Sequence, residues 1–358
     1  MKTYEAASIL TTIAFSLTLL INSFLIFLTI FHIKLITGTY KWMMVIFATL
    51  GILFAFLEVT ARPCVHNFNG GWIFFSLNVW LPSWLVFFLT ASYSGFFCSL
   101  LTFINVQFIF RCWTIIGSEL IDSFRGFKVL LWILFVITPS ALFANAFIIL
   151  TPPDDFVDGY MRLEFEETYD LPIEQVTRFI LIAYNSDGTI RWQNVSFIFV
   201  VSAILITILM VIGYSALRMR KEMKARFDLM SRRNMRLETQ FFKALVAQSA
   251  FPTVLLVLPI GPVMLLPLLD LKISWQSGFM FSLFSLYPPL DSIAMMMIIT
   301  EYKACMKKLL NRLLCCCCAN KVSVPQGNCH SEVDTSFQLS VIPPDHMRCA
   351  SAASSFGY

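Results

Sequence analysis

Charged residues are scarce in this sequence. Only 13% of its 358 residues are Asp, Glu, Lys or Arg, whereas 58% are hydrophobic and 36 are phenylalanine. An ordinary soluble domain contains about 25% charged residues, so this composition predicts an integral membrane protein with several spans. The net charge of +4 is small and unevenly divided between segments. It therefore bears on orientation and gives no reason to expect nucleic acid as a partner.

Histidine clusters, internal repeats and a removable leader are also missing. The four histidines are scattered at positions 32, 66, 330 and 346. Without clustered His, Asp or Glu we expect no catalytic residues, no metal site and no cofactor. The sequence contains no internal repeat, so it gives no sign of the paired halves that form many transporters. The first apolar run, Ala6 to Phe31, lacks a small-residue cleavage site, so we interpret it as a retained span.

What the sequence contains instead is a series of long apolar runs, at about residues 7–31, 42–61, 81–110, 129–151, 193–217, 241–267 and 274–300. A helix of about 20 apolar residues crosses a bilayer. The uncharged stretch Trp72 to Phe110 could be cut in two, which would make eight spans. Seven spans place 20 of the 26 basic residues on one face, as expected of cytoplasmic loops. The sequence therefore predicts an all-α membrane protein, a seven-helix bundle with its N-terminus outside and its C-terminus in the cytoplasm.

Two loops and one buried acid stand out by charge. The outer loop from Pro152 to Trp192 contains nine acidic and three basic residues, and periodicity does not decide whether its middle forms strands or a helix. The basic inner loop from Arg218 to Arg236 can extend spans five and six as helices. Its charges either meet an acidic partner or only fix topology and attract anionic lipid. Glu58, at the outer end of span two, is expected to pair with Arg62; a ligand amine is the alternative.

Arg111 is the first candidate for a switch residue. It lies where the apolar run of span three stops. A guanidinium at that position can bond the exposed carbonyls of neighbouring helices and be released when the helices separate. The alternative is that Arg111 only extends to the lipid headgroups.

Polar residues and prolines in spans six and seven form a second candidate set. Gln248 and Asp291 lie at membrane depth, where each needs a partner inside the bundle. The prolines predict bends, and the bend in span six is either a hinge that swings or a static break. These prolines are Pro252, Pro259, Pro262 and Pro267 in span six and Pro288 and Pro289 in span seven.

The segment after span seven is basic and amphipathic. We expect residues 1–303 to form the seven-helix domain, 304–318 a short interfacial helix and 319–358 a disordered cytoplasmic tail. Four adjacent cysteines at the end of that helix predict S-acylation and membrane attachment. A zinc site is the rival interpretation, but adjacent residues cannot all turn onto one ion. The four are Cys315, Cys316, Cys317 and Cys318.

Several short stretches together resemble the nematode serpentine chemoreceptors, most closely the Str class. They are Gly38-Thr39-Tyr40-Lys41, Gln107 to Arg111, Gln240 to Gln248, Tyr287 to Asp291 and Glu301-Tyr302-Lys303. The likeness covers about residues 7–303. The family usually has tyrosine on both sides of the arginine in span three, whereas Phe110 and Cys112 flank Arg111 in this sequence. No acid precedes Arg111, so an intrahelical Asp–Arg pair is absent.

The resemblance implies a non-catalytic receptor in the plasma membrane of a sensory-neuron cilium. It would bind an odorant or peptide from outside and activate a heterotrimeric G protein inside, and it could form homo- or hetero-oligomers. The ligand would occupy an aromatic cavity between spans three, five, six and seven, under the acidic outer loop. A seven-span ion channel or transporter without G-protein coupling is the alternative. The residues expected to switch or to meet the G protein are Arg111, Arg218, Arg220, Lys221, Tyr302 and Lys303.

Overall fold

The computed structural model describes residues 3–34, 36, 38–226, 231–269 and 284–319. The chain from Met1 to Leu310 forms one compact unit, and the residues from Asn311 onward belong to a second. The sequence predicts a disordered tail over residues 319–358. From position 320 onward this tail lies outside the described residues, so its disorder stays a prediction.

Seven helical spans form the bundle of the first unit. Among the described residues, the first five are long and apolar enough to cross a membrane. Span six is interrupted, and the chain around span seven is described only from Phe284 onward. The spans are Thr3–Phe27 with a π-helical turn Leu28–His32, Thr39–Ala61, Ser83–Ile116, Val129–Leu150, Trp192–Ala225, Arg232–Leu265 with a π-helical turn Thr253–Val257, and Tyr287–Ile298.

Span three is the central helix of the bundle. Gly95 brings it against span four, because a Cβ at this position would lie 2.9 Å from the carbonyl oxygen of Ser140 and 3.0 Å from the Cβ of Ala144. The helix ends at Gly117, whose left-handed φ of +68° suits a residue without a side chain. Two turns of 3-10 helix, Glu119–Phe124 and Gly126–Lys128, then lead into span four.

A three-stranded antiparallel sheet lies between the ends of the spans, and the helical periodicity of the sequence did not predict it. The strands are β1 Pro63–Phe68, β2 Gly71–Ser76 and β3 Arg178–Ile182, in the order β1-β2-β3. Asn69 and Gly70 form the hairpin turn, with φ of 46° and 84°. Positive φ at both positions is the two-residue turn that Asn-Gly favours. This end of the bundle is the sheet end; the opposite end, where Arg111 lies, is the Arg111 end.

The acidic outer loop contributes both a helix and a strand to this region. The cap helix, Asp155–Tyr169, begins at Asp154, whose carboxylate accepts a hydrogen bond of 2.9 Å from the Val157 amide. Side chains alternate across β2, so Trp72 and Phe74 pack against the bundle while Ile73 and Phe75 pack against the cap helix. The sheet and the cap helix form the cap, which has an apolar core of its own.

The observed ends of spans five, six and seven agree in part with the predictions from the sequence. Spans five and six extend beyond the apolar runs to Ala225 and from Arg232, which confirms the predicted helical extensions. Span seven ends at Ile298, and Ile299 has an extended backbone. The C-terminal helix follows as Thr300–Ala319, so it begins four residues before position 304.

Candidate functional site

An apolar cavity lies at the sheet end of the bundle. Its volume is about 190 Å³. Spans three to six form the wall, with Ser94, Phe147, Ser202 and Gly261 among the lining residues. Phe284, just before span seven, also reaches it. Among the described lining residues none is charged, so the cavity favours uncharged, largely apolar molecules.

The roof of the cavity differs from the prediction. The sequence led us to expect the acidic loop above the ligand and to leave span four out of the wall. In the structure the hairpin supplies the roof through Val65, Trp72 and Phe74, and span four contributes Phe143 and Phe147. The acidic loop contributes indirectly, because its strand β3 pairs with β2.

Glu58 lies deep in the bundle near this end, and its predicted pairing with Arg62 is wrong. The Glu58 carboxylate is 3% exposed and accepts hydrogen bonds from Ser285 Oγ at 2.8 Å and Tyr93 Oη at 3.3 Å. Arg62 instead donates to the Ser8 hydroxyl at 2.8 Å. Arg62 follows the last residue of span two with a φ of 45°, so helical spacing does not describe its position. Glu58 thereby connects spans two and three to the residues that precede span seven.

Arg111 is buried at the opposite end in a contact that we call the Arg111 clasp. Its guanidinium carbon lies 3.5 Å from the ring centre of Tyr40 and 3.8 Å from that of Phe241. Its Nη1 lies 3.4 Å from Glu238 Oε1. The arginine is 5% exposed, so it does not extend to lipid headgroups. A cation between two aromatic rings and a carboxylate holds spans two, three and six together.

Gln248 and Asp291 are partners of each other, as the sequence required of two polar residues at membrane depth. Gln248 Nε2 donates to Asp291 Oδ2 at 3.1 Å, and both residues are almost fully buried. The predicted need for an interior partner is confirmed for both. The contact joins span six to span seven midway along the bundle.

The prolines lie where the two helices change form. Pro252 ends the first half of span six, the π-helical turn follows, and Pro259 lies in the first turn of the second half. The prediction that span six is not a regular helix is confirmed. Pro288 and Pro289 occupy the first turn of span seven, after a 3-10 turn. Proline is tolerated there because first-turn amides have no helical partner, so these two do not break the described part of the helix.

The residues expected to face a G protein separate into exposed and buried ones. Arg218, Arg220, Lys221 and Lys303 are exposed at the Arg111 end. Tyr302 is fully buried, and its hydroxyl lies 2.7 Å from that of Thr29 in span one. Tyr302 is thus placed to hold the first turn of the C-terminal helix against span one.

Two candidate modification sites have different outcomes. Asn194, which begins the glycosylation sequon Asn194-Val195-Ser196, is 2% exposed and its Nδ2 donates to the Leu150 carbonyl at 2.9 Å. That nitrogen is the atom a glycan would need. Residues 315–318 belong to the C-terminal helix, but their side chains lie outside the described part of the chain, so S-acylation stays a prediction.

The cap contains buried polar groups to which the sequence assigned no role. Burial raises the pKa of the Cys64 thiol to about 12 and lowers the pKa of His66 to about 4. His66 Nδ1 lies 3.3 Å from the Tyr169 hydroxyl. Cys64 is a free thiol, so the cap is held by its core and by ion pairs. The innermost pair joins Arg178 to Asp158 through contacts of 2.7 and 2.5 Å.

Known proteins resemble this chain in sequence and in fold. The family described as "Serpentine type 7TM GPCR chemoreceptor Str" matches residues 7–307. G-protein coupled receptor str-33 of Caenorhabditis elegans is 38% identical over 307 residues, which are 83% of this chain and 88% of the relative. Serpentine receptor class r-10 of the same species is 25% identical over 271 residues, or 74% of this chain and 80% of that protein.

The fold has a counterpart among solved structures. The crystal structure of squid rhodopsin matches with a TM-score of 0.58 at 12% sequence identity, over 88% of this chain and 87% of that one. The likeness confirms the seven-helix bundle and shows that this chain has the rhodopsin-like fold. Together with the family match and the 38% identity, it identifies the particular group: the chain belongs to the Str family of seven-transmembrane chemoreceptors. It is a multi-pass membrane protein of the receptor class.

Proposed function

We propose that this receptor binds a small molecule in the cavity at the sheet end and activates a heterotrimeric G protein at the Arg111 end. We place the sheet end outside the cell, in the plasma membrane of a sensory-neuron cilium. Family membership and the concentration of basic residues on one face support this. The observation that carries the proposal is that one uninterrupted helix, span three, joins the cavity to the clasp. Ser94 and Arg111 lie about 25 Å apart along it.

The clasp is the feature that a signal has to change. Glu238 and Phe241 belong to span six, whereas Tyr40 belongs to span two. If span six moves away from spans two and three, Arg111 loses the carboxylate and one ring together. A G protein can then reach the arginine, which is buried in the described conformation. A ligand drives this change only if it binds the two packings with different affinity.

The exposed cations are proposed to form the surface that a G protein approaches. Arg218, Arg220 and Lys221 extend span five beyond the apolar run, and Lys303 lies at the start of the C-terminal helix. Such a cluster also attracts anionic lipid headgroups at about 1 kcal/mol per cation near the surface. Acylation of the cysteines at 315–318 would add a second attachment to the membrane.

Glu238→Gln tests the clasp without a known ligand. The variant keeps the size of the side chain and removes its charge, so the packing that buries Arg111 is weakened. If the partly buried pair contributes about 1 kcal/mol, basal activation of a G protein should rise about fivefold. The measurement is receptor-dependent nucleotide exchange by a purified G protein on membranes with matched amounts of receptor. Arg111→Ala should abolish exchange while leaving surface display intact.

The matched control is Glu174→Gln, in the 3-10 turn Ile173–Gln175 between the cap helix and β3. Glu174 also pairs with an arginine, Arg162, at 2.5 Å, but both side chains are about half exposed. Its basal exchange should equal that of the unaltered receptor. If Glu238→Gln leaves exchange unchanged, or if Arg111→Ala supports normal exchange, the clasp is not the element that controls coupling.

A further inference from the structure

The first amide of the C-terminal helix is bonded by a side chain of span six. Ile299 has an extended backbone, with ψ of 118°, so the helix of span seven does not continue into the C-terminal helix. The first amides of a new helix have no partner within it. Gln240 Oε1 accepts a hydrogen bond of 3.0 Å from the Thr300 amide and one of 3.2 Å from the Thr300 hydroxyl. Span six therefore caps the C-terminal helix through Gln240.

The same turn of the C-terminal helix is held on its other side by span one and the loop that follows it. Glu301 Oε1 accepts a hydrogen bond of 2.9 Å from the Lys34 amide, and the Tyr302 hydroxyl lies 2.7 Å from that of Thr29. Neither of these two contacts involves span six. The first turn of the C-terminal helix thus joins span six to an anchor at the end of span one.

Gln240 lies beside the clasp on span six. It follows Glu238 by two residues and precedes Phe241, and both of these contact Arg111. The three residues belong to a single turn of helix. An outward movement of span six that takes Glu238 away from Arg111 therefore also takes Gln240 away from Thr300. Gln240 is 8% exposed and Thr300 reaches the surface, so the two hydrogen bonds lie at the edge of the bundle.

We propose that the contact between Gln240 and Thr300, the Gln240 latch, holds span six against the bundle and thereby keeps Arg111 buried. The C-terminal helix is then an autoinhibitory element of the receptor. Gln240 is a positioning residue, because it acts through the clasp. The inference rests on the proposed function, since release of the latch changes signalling only if Arg111 controls coupling.

The test follows the exposure of Arg111 without a G protein. Phenylglyoxal modifies accessible guanidinium groups, and mass spectrometry after digestion locates the modification at Arg111 in the purified full-length receptor in lipid nanodiscs. Gln240→Met keeps an unbranched side chain of good helix propensity but removes the acceptor. Loss of two hydrogen bonds near the surface should raise the rate of Arg111 modification about fivefold.

Two further variants assign this effect to the latch. Thr239→Val is the matched control, because the Thr239 hydroxyl donates within span six, to the Met235 carbonyl at 2.8 Å; its Arg111 should react at the rate of the unaltered receptor. Thr300→Val removes one of the two hydrogen bonds and should raise the rate about twofold. It should add nothing to Gln240→Met, because the acceptor is already gone. If Gln240→Met fails to fold, Thr300→Val still decides the question.

Amide hydrogen exchange on the same samples separates the latch from a general loosening of the C-terminal helix. Exchange at the Thr300 amide should be about fivefold faster in Gln240→Met. The Lys34 amide should keep its protection, because its acceptor is Glu301. Equal acceleration at both amides would mean that the substitution loosens the whole end of the bundle, and it would overturn the assignment.

Three other results would overturn the proposal. They are an unaltered rate of Arg111 modification in Gln240→Met and Thr300→Val, an equal rise in Thr239→Val, and additive effects of Gln240→Met and Thr300→Val. Because these measurements contain no G protein, their outcome is separate from that of the signalling proposal. Faster Arg111 modification in Gln240→Met without greater nucleotide exchange by the G protein would refute the proposed role of Arg111 in coupling and leave the latch standing.

Discussion

Acid should loosen the cap of this receptor, and His66 is the reason. Burial holds the pKa of His66 at about 4, compared with 6.5 for an ordinary histidine. Its neighbours are the Tyr169 hydroxyl at 3.3 Å and a Glu164 oxygen 3.6 Å from Nε2. Glu164 is 32% exposed, so water screens its attraction for a proton on the ring.

The sign and the size of this change in cap stability follow from the linkage between proton binding and folding. Above pH 6.5 the imidazole is neutral in both the folded and the unfolded cap, and its contribution to stability is complete. As the pH falls from 6.5 towards 4, the unfolded cap binds a proton that the folded cap does not, so stability is lost. The shift corresponds to about 3 kcal/mol in full and about 2 kcal/mol at pH 5.

Amide hydrogen exchange in the hairpin strands measures this loss. The free energy of opening at Val65 and Phe74 should fall by about 2 kcal/mol between pH 7.5 and pH 5, after correction for the intrinsic exchange rate. His66→Gln has no titrating ring, so its opening free energy should change much less. The pKa of Asp154 lies below its ordinary 3.8, despite partial burial, because the Val157 amide and Arg191 bond its carboxylate, so it does not titrate in this range. Equal acid sensitivity in both proteins would refute the reasoning.

Two further predictions concern packing and lipid attachment. Gly95→Leu should lower stability by about 2 kcal/mol, because the larger side chain forces spans three and four apart. The control is Gly213→Ala, where a Cβ meets no atom within 4 Å, and it should not lower the unfolding temperature. Equal effects of the two substitutions would contradict the close contact between spans three and four. Replacing all four cysteines at 315–318 with serine should abolish hydroxylamine-sensitive palmitate labelling, and Cys305→Ser should retain it. Labelling that survives the fourfold replacement would show that acylation lies elsewhere.

The spans and the interior polar pair could be predicted from sequence because membrane physics acts on each segment separately. A run of about 20 apolar residues has few alternatives to a spanning helix. Gln248 and Asp291 had to find partners at that depth, and each found the other. The identity of each partner depends on how spans six and seven pack. The pattern of residues along one helix does not reveal that packing.

The cap was missed although its signal is present. Asn69-Gly70 between apolar residues is the strongest short-range indication of a hairpin, but β1 and β2 have few charges and resemble the start of a long membrane span. Both faces of β2 are buried, so the strand lacks the alternation of apolar and polar residues that reveals a half-exposed strand. The clasp was missed for another reason. Tyr40 and Glu238 are far from Arg111 in sequence, and nothing local indicates that they meet.

Span six is the element in which the cavity and the clasp meet most directly. Its first half carries the polar contacts, Glu238 to Arg111 and Gln248 to Asp291. Its second half, from Leu258, lines the cavity with residues such as Gly261 and Met264 and carries no charged residue. The π-helical turn Thr253–Val257 separates them. A ligand bound as we propose would contact the apolar half, while a G protein would act on the polar half. A rearrangement transmitted along span six has to pass through the turn, where the regular hydrogen bonding of the helix is already interrupted.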